Sequence, residues 1–153
     1  MIKLDDRDLK MLSILQRDGR ISNQKLADTI GLSATACLER VRRLTRDGFI
    51  TGYHATLDPG KLNAGLLVFV EVMLDRTTTD VFVAFEQAVR ERPEILECHL
   101  VAGGFDYLIK TRVRDMAAYR QLLADVLLSL PGIRETHTYA VMEEIKNTDK
   151  LPV

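Results

Sequence analysis

Arg40, Arg42, Arg43 and Arg46 place four guanidinium groups within seven residues, opposed nearby only by Glu39 and Asp47. A guanidinium is a permanent cation with a planar fork of donors. That fork matches the O6 and N7 edge of guanine or bridges phosphate oxygens. Thr35 and Ala36 open the same segment and are short enough to let its backbone approach base edges and thymine methyl groups. The pattern points to duplex DNA as partner. Thr35, Ala36, Glu39 and Arg40 are expected near bases, and Arg42, Arg43 and Arg46 on phosphates or flanks. Lys25, with Arg20 and Tyr53-His54, is expected at the groove edges, and Asn23 and Ser33 complete the candidate set. The plainer alternative is a solvated helix face, on which Glu39 and Arg43 form an i,i+4 pair of about 0.2–0.5 kcal/mol.

A second chemistry is offered by Gly103-Gly104-Phe105-Asp106-Tyr107. The glycines allow close backbone approach or positive φ, and Asp106 sets a carboxylate beside open amide groups. A cation and an anion a few Å apart, as in a free amino acid, fit such a place. A plain hairpin with a capping aspartate is the alternative. His54, His99 and His137 are scattered, and Cys37 and Cys98 lie 61 positions apart. No metal-ligand spacing, phosphate loop or nucleophile motif occurs, so neither a metal, a cofactor nor an enzyme activity is expected. The cysteines are expected as reduced thiols rather than a disulfide.

Positioning these groups falls to two halves with different periodicity. Leu4, Leu9, Leu12, Ile14 and Leu15 predict a first helix beginning near Asp5 and ending at Asp18-Gly19. Ser22 or Asn23 caps a second helix with Leu26, Ala27 and Ile30 inside, broken at Gly31. Ser33 caps a third from Ala34 to about Asp47. A short Gly turn between two helices is the geometry that presents one helix to the major groove. With Val41 taken as the centre of the buried side, and Cys37, Leu38 and Leu44 also inside, 100° per residue puts Ala36, Glu39, Arg43 and Arg46 outward. Thr35, Arg40 and Arg42 then lie on the flanks. Residues 49–57 predict a small hairpin, and Asp58-Pro59-Gly60 a strong turn. The expected division is a DNA-binding domain over 1–58, a linker over 59–65 and a second domain over 66–153.

In the second half, 66–74 predicts a buried strand, and Thr77-Thr78-Thr79-Asp80 offers caps for a helix bearing Phe82, Phe85 and Val89. Strands over 95–102 and 107–113 flank the Gly-Gly turn. Asp115 caps a further helix, and 136–145 is the last strand. The order β-α-β-β-α-β predicts a ferredoxin-like α+β domain with both helices on one sheet face. The other face, with Leu67, Phe69, Glu71 and Met73, needs a second subunit, so a homodimer is expected.

The 153 residues carry 21 basic and 22 acidic side chains, so overall charge predicts no polyanion partner. Local placement matters instead: 10 basic face 8 acidic residues in 1–58, and 11 face 14 in 59–153. Exposed charges are screened beyond ~8 Å at physiological salt. The longest apolar run, Leu66 to Val70, is far below the ~20 residues of a membrane span. No targeting signal is evident, and a cytoplasmic location without membrane association is expected.

Asp18-Gly19-Arg20-Ile21-Ser22-Asn23, Leu26-Ala27, Gly31-Leu32-Ser33, Cys37-Leu38-Glu39-Arg40-Val41-Arg42-Arg43-Leu44 and Gly48-Phe49-Ile50 resemble the Lrp/AsnC family. Leu67-Val68-Phe69-Val70-Glu71, Glu97-Cys98-His99-Leu100-Val101, Phe105-Asp106-Tyr107-Leu108 and Met142-Glu143-Glu144 extend the resemblance over nearly the whole chain. It implies a transcriptional regulator of amino-acid metabolism genes. Its winged helix-turn-helix would bind DNA as a dimer, dimers would assemble into an octamer or similar ring, and an effector amino acid such as leucine would modulate binding. Proline or lysine, with control of a single catabolic operon, is the alternative within the family. A small-molecule module without DNA binding is the alternative outside it. The resemblance further implies that Asp106 is the charged partner of the effector and that Leu100, Met116, Tyr139, Ala140 and Val141 wall its site. Relative to the family pattern the N-terminal extension is short and the chain ends at Val153.

Overall fold

The computed structural model describes residues 3–153, which divide into two compact units. Residues up to Thr56, together with Lys146–Val153, form the first; Leu57–Ile145 form the second. The expected boundary near residue 58 thus lies at 56/57, and the last eight residues belong with the first unit rather than the second. Their attachment is visible in two hydrogen bonds: Gln16 Nε2 donates to Leu151 O (3.1 Å), and Leu151 N–H donates to Gln16 Oε1 (2.6 Å).

The first unit holds α1 (Asp6–Leu15), α2 (Asn23–Ile30) and α3 (Ala34–Arg46). Each starts where a short polar side chain satisfies backbone donors that the first turn leaves orphaned. Asp5 and Asp8 form a reciprocal capping box on α1, Ser22 accepts from Lys25 N–H, and Ser33 accepts from Ala36 N–H. Gly31 ends α2 in the left-handed region at φ 70°, returning its N–H to Ala27 O. Met11, Leu26, Ala27, Ile30, Cys37, Leu44 and Ile50 make the core.

The hairpin expected over 49–57 does not form; no strand occurs there. The N–H groups of Phe49 and Ile50 both donate to Leu44 O, at 2.9 and 3.2 Å. The chain leaving α3 is therefore tied to the end of the helix, and Ile50 is drawn into the core, instead of laddering with residues that follow.

The second unit runs β1 (Leu66–Leu74), α4 (Thr79–Arg90), β2 (Ile95–Leu100), β3 (Tyr107–Val113), α5 (Met116–Asp125), a 3-10 turn over Leu127–Ser129 and β4 (Ile133–Ala140). The sheet order is β2-β3-β1-β4 with every neighbour antiparallel, the ferredoxin-like arrangement expected. Val68, Val70 and Val72 on β1 alternate onto the helix side, where they meet Phe85 of α4, Ile109 of β3 and Tyr119 of α5. β4 starts three residues earlier and ends five earlier than expected. Its partner sets those limits: Ile133 pairs with Leu74, Ala140 with Val68, and the last bond runs from Val141 N–H to Leu67 O.

The open sheet face is less apolar than expected. Glu71 accepts from Tyr139 Oη (3.1 Å) and lies 3.7 Å from His137 Nδ1, while Lys110 pairs with Glu97 (2.6 Å) and Arg112 with Glu144. Leu67, Phe69, Met73 and Leu108 sit among these charges.

Both cysteines are free thiols. Burial pushes the Cys98 thiol up to about 11 and raises that of Cys37 as well.

Gly31→Ala has room for its Cβ, with nothing within 4 Å, so only the left-handed backbone opposes it. It is expected to cost about 1–2 kcal/mol, read from urea unfolding of the full chain.

Candidate nucleic-acid interface and ligand site

The tightness of the α2–α3 joint determines what α3 can present. Asn23 Nδ2 donates to Ala34 O at 2.8 Å, bridging the starts of the two helices, and Ser33 is occupied by its cap to Ala36 N–H. Two members of the expected DNA-binding set thus have structural employment, while Lys25 is exposed.

The rotation of α3 departs from the expectation. Cys37 and Leu44 have no exposed surface, so the buried side is centred between them, about 50° from a centre on Val41. Thr35, Glu39, Arg42 and Arg46 consequently form the outward stripe, with Leu38 and Thr45 beside it. Thr35 and Arg42 move from flank to face. Ala36 and Arg43 move from face to flank and are half-buried. Leu38, expected inside, is exposed. Arg46 projects into solvent, its Nε 3.2 Å from Asp47 Oδ1.

Arg40 lies off the outward stripe and is paired within the unit. Its Nη1 donates to Asp5 Oδ2 at 2.7 Å and to Asp8 Oδ1 at 2.9 Å. Arg43 Nη2 lies 2.6 Å from Asp8 Oδ2, an ion-pair contact without in-line hydrogen-bond geometry. The Arg40 guanidinium lowers the Asp5 carboxyl below its ordinary value, helped by the Asp8 N–H, and the carboxylates, Asp5 first, raise Arg40 in return. A depressed carboxyl contributes stability above its unfolded pKa that is lost as pH falls through the folded one. The pairing is therefore intact at neutral pH. Nothing in the spacing of α3 signals it, because the acids lie 32 and 35 residues upstream. The capping box at Asp5 and Asp8 was the available clue.

In the second unit the expected ligand residues separate into two groups. Leu100, Gly103, Gly104 and Asp106 lie at the end of the sheet where β1 finishes: Asp106 N–H donates to Val72 O at 3.0 Å. Tyr139, Ala140 and Val141 lie beside the start of β1, the end at which Val113 of β3 pairs with Leu66 and leads on to Met116. Val72 and Leu67 are separated by roughly 16 Å of strand, and β2 and β4 are opposite edges roughly 14 Å apart. One chain does not bring the groups together. Leu100 and Tyr139, 62% and 51% exposed, are open to solvent rather than walls of an enclosed site.

Asp106 has a job within its own fold: Oδ2 accepts from Leu74 N–H at 2.7 Å, holding the β2–β3 connection against the end of β1. Gly103 and Gly104 have open space around them and neither adopts positive φ. With Met73, Leu74, Thr77, Phe105 and Arg134 this loop lines a cavity of about 190 Å³. Its Arg134 and Asp106 place opposite charges at one small opening.

A model described as Lrp/AsnC ligand-binding domain matches residues 67–151, and one described as winged helix-turn-helix DNA-binding matches 4–51. The chain belongs to the Lrp/AsnC family. This Lrp/AsnC chain is 58% identical over 150 residues to the leucine-responsive regulatory proteins of Escherichia coli K12 and Klebsiella pneumoniae, covering 98% of itself and 92% of each relative. Its structure is similar to that of a transcriptional regulator of Neisseria meningitidis in complex with L-Met, at 37% identity and TM-score 0.92 over 98% of this chain and 97% of that one. An AsnC family transcriptional regulator of Agrobacterium tumefaciens also matches with TM-score 0.92, at 35% identity over 97% of both chains. These relatives are regulators of transcription rather than enzymes. Among the described residues no helix is long and apolar enough to cross a membrane, and no acidic, cysteine and histidine cluster could hold a metal ion.

Asp106→Ala deletes the acceptor of Leu74 N–H and is expected to cost the second unit about 1–3 kcal/mol. Asp106→Asn keeps an acceptor and should cost under about 1 kcal/mol. Chemical denaturation of both variants separates this structural part from any ligand contact.

Proposed function

We propose that this Lrp/AsnC chain regulates genes of amino-acid metabolism by binding duplex DNA through the outward stripe of α3, and that an effector amino acid, leucine first, shifts that binding. The observation that carries the DNA reading is the stripe itself: Thr35 and Glu39 toward the start of α3, followed by the exposed cations Arg42 and Arg46 on the same face, on a helix held by a Gly turn. Thr35 and Glu39 take base-proximal positions, Arg42 and Arg46 phosphates, and Lys25 a groove edge. Ala36, Asn23 and Ser33 support the approach by size and by capping.

Leucine is favoured by relatives named leucine-responsive regulatory proteins at 58% identity. Methionine is the second candidate, since the Neisseria regulator is an L-Met complex. The effector site is completed between chains. The Asp106 group of one copy and the Tyr139 group of another supply the charged and apolar parts that a single chain keeps apart. A homodimer through the open sheet face, and an octamer or similar ring of dimers, provide those contacts. Ligand affinity linked to assembly then changes the spacing of α3 helices and with it DNA affinity.

Arg42→Ala and Arg46→Ala are each expected to reduce the slope of log affinity against log salt by about 0.9, in titrations of the full chain on duplex DNA. Unchanged slopes for both would remove α3 from the interface. Calorimetry with leucine, methionine, proline and lysine, paired with sedimentation, is expected to show leucine binding only at concentrations where dimers or larger assemblies are present. Equal leucine binding by monomer would overturn the inter-chain site.

A further inference from the structure

Asp8 is a charged side chain in the core of the first unit, 1% exposed, with Met11 of the same helix as its buried neighbour in sequence. Its Oδ1 takes Arg40, and its Oδ2 takes both Arg43 and the backbone N–H of Asp5 at 3.1 Å. Asp5 adds a second carboxylate on Arg40 and accepts Asp8 N–H at 2.8 Å. Two acids from the first turn of α1 thus meet two cations three residues apart on α3, and the local charge sums to zero. Of the four arginines on α3, these two are neutralised internally while Arg42 and Arg46 stay on the exposed face.

We infer that Asp8 is a positioning residue for DNA recognition: it fixes the rotation of α3 through Arg40 and Arg43 and withholds both guanidinium groups from the DNA backbone. The inference rests on the DNA-binding reading above. A buried carboxylate bound to two cations tolerates little sliding, because either displaced arginine would leave an unpaired charge in a low-dielectric place. Withholding two cations also limits the phosphate term that every sequence shares, so more of the affinity depends on Thr35 and Glu39 at the bases. The clamp sets discrimination between sequences by subtracting attraction that carries no sequence information.

The test uses the full chain, a duplex selected from a random pool by the unsubstituted protein, and a scrambled duplex of the same composition. Affinities are measured across a salt series. Arg40→Gln and Arg43→Gln remove a charge each while keeping a donor for Asp8. Both are expected to leave the salt slope unchanged, whereas Arg42→Gln and Arg46→Gln each flatten it by about 0.9. Asp8→Asn releases Arg43 and leaves Arg40 on Asp5; it is expected to steepen the slope by about 0.9 and to narrow the affinity ratio between selected and scrambled duplexes. A merely structural Asp8 would lower affinity without steepening the slope, and that result overturns the inference. So does flattening by Arg40→Gln or Arg43→Gln equal to that of Arg42→Gln. If Asp8→Asn fails to fold, the two glutamine variants decide alone by the same slope. If all four arginine variants leave the slope unchanged, the DNA reading of α3 fails, a result distinct from failure of the clamp.

Discussion

The rotation of one helix about its own axis is the constraint on which the nucleic-acid surface depends. Cys37 and Leu44, two turns apart and without exposed surface, turn one side of α3 into the core against Leu26, Ala27 and Ile30. Apolar burial supplies that preference without direction beyond the side chains themselves. The buried ion pairs from Asp8 add direction, since a carboxylate can satisfy Arg40 and Arg43 together only over a narrow range of helix rotation. Thr35, Glu39, Arg42 and Arg46 are outward because the opposite side of the same cylinder is spoken for twice.

This arrangement explains how a chain with nearly balanced charge can present a surface to a polyanion. The balance is not spread evenly. Two arginines are cancelled where they support the fold, and two remain where solvent and a ligand can reach them. Exposed charges are screened beyond ~8 Å at physiological salt, so the local arrangement outweighs the sum.

The second unit shows a different economy. A β2-β3-β1-β4 sheet puts its first and last strands in the middle and at one edge, so residues near the ends of β2 and β4 are far apart in one molecule. The residues that the family pattern associates with a ligand are distributed over both ends. Asp106 serves the fold itself, with one carboxylate oxygen bound to Leu74 N–H in the strand end.

Three helices, their caps, the Gly31 break and the β-α-β-β-α-β order were legible in the chain because each rests on local spacing. Polar caps satisfy nearby N–H groups, Gly accepts positive φ, and apolar residues recur with the period of the element they build. Residues 49–57 misled because their hairpin pattern competes with a carbonyl at the end of α3, a partner fixed by packing. The end of β4 was unreadable for a related reason: the length of β1 limits it. The sequence by itself determined which elements form and which residue types are available for DNA and for an amino acid. Only the tertiary structure decided which arginines are free, which face of α3 is outward and which ligand residues share a chain's end. Those depend on contacts between separate elements, some of them 30 or more residues apart, such as Asp8 with Arg40, whose geometry no local period encodes.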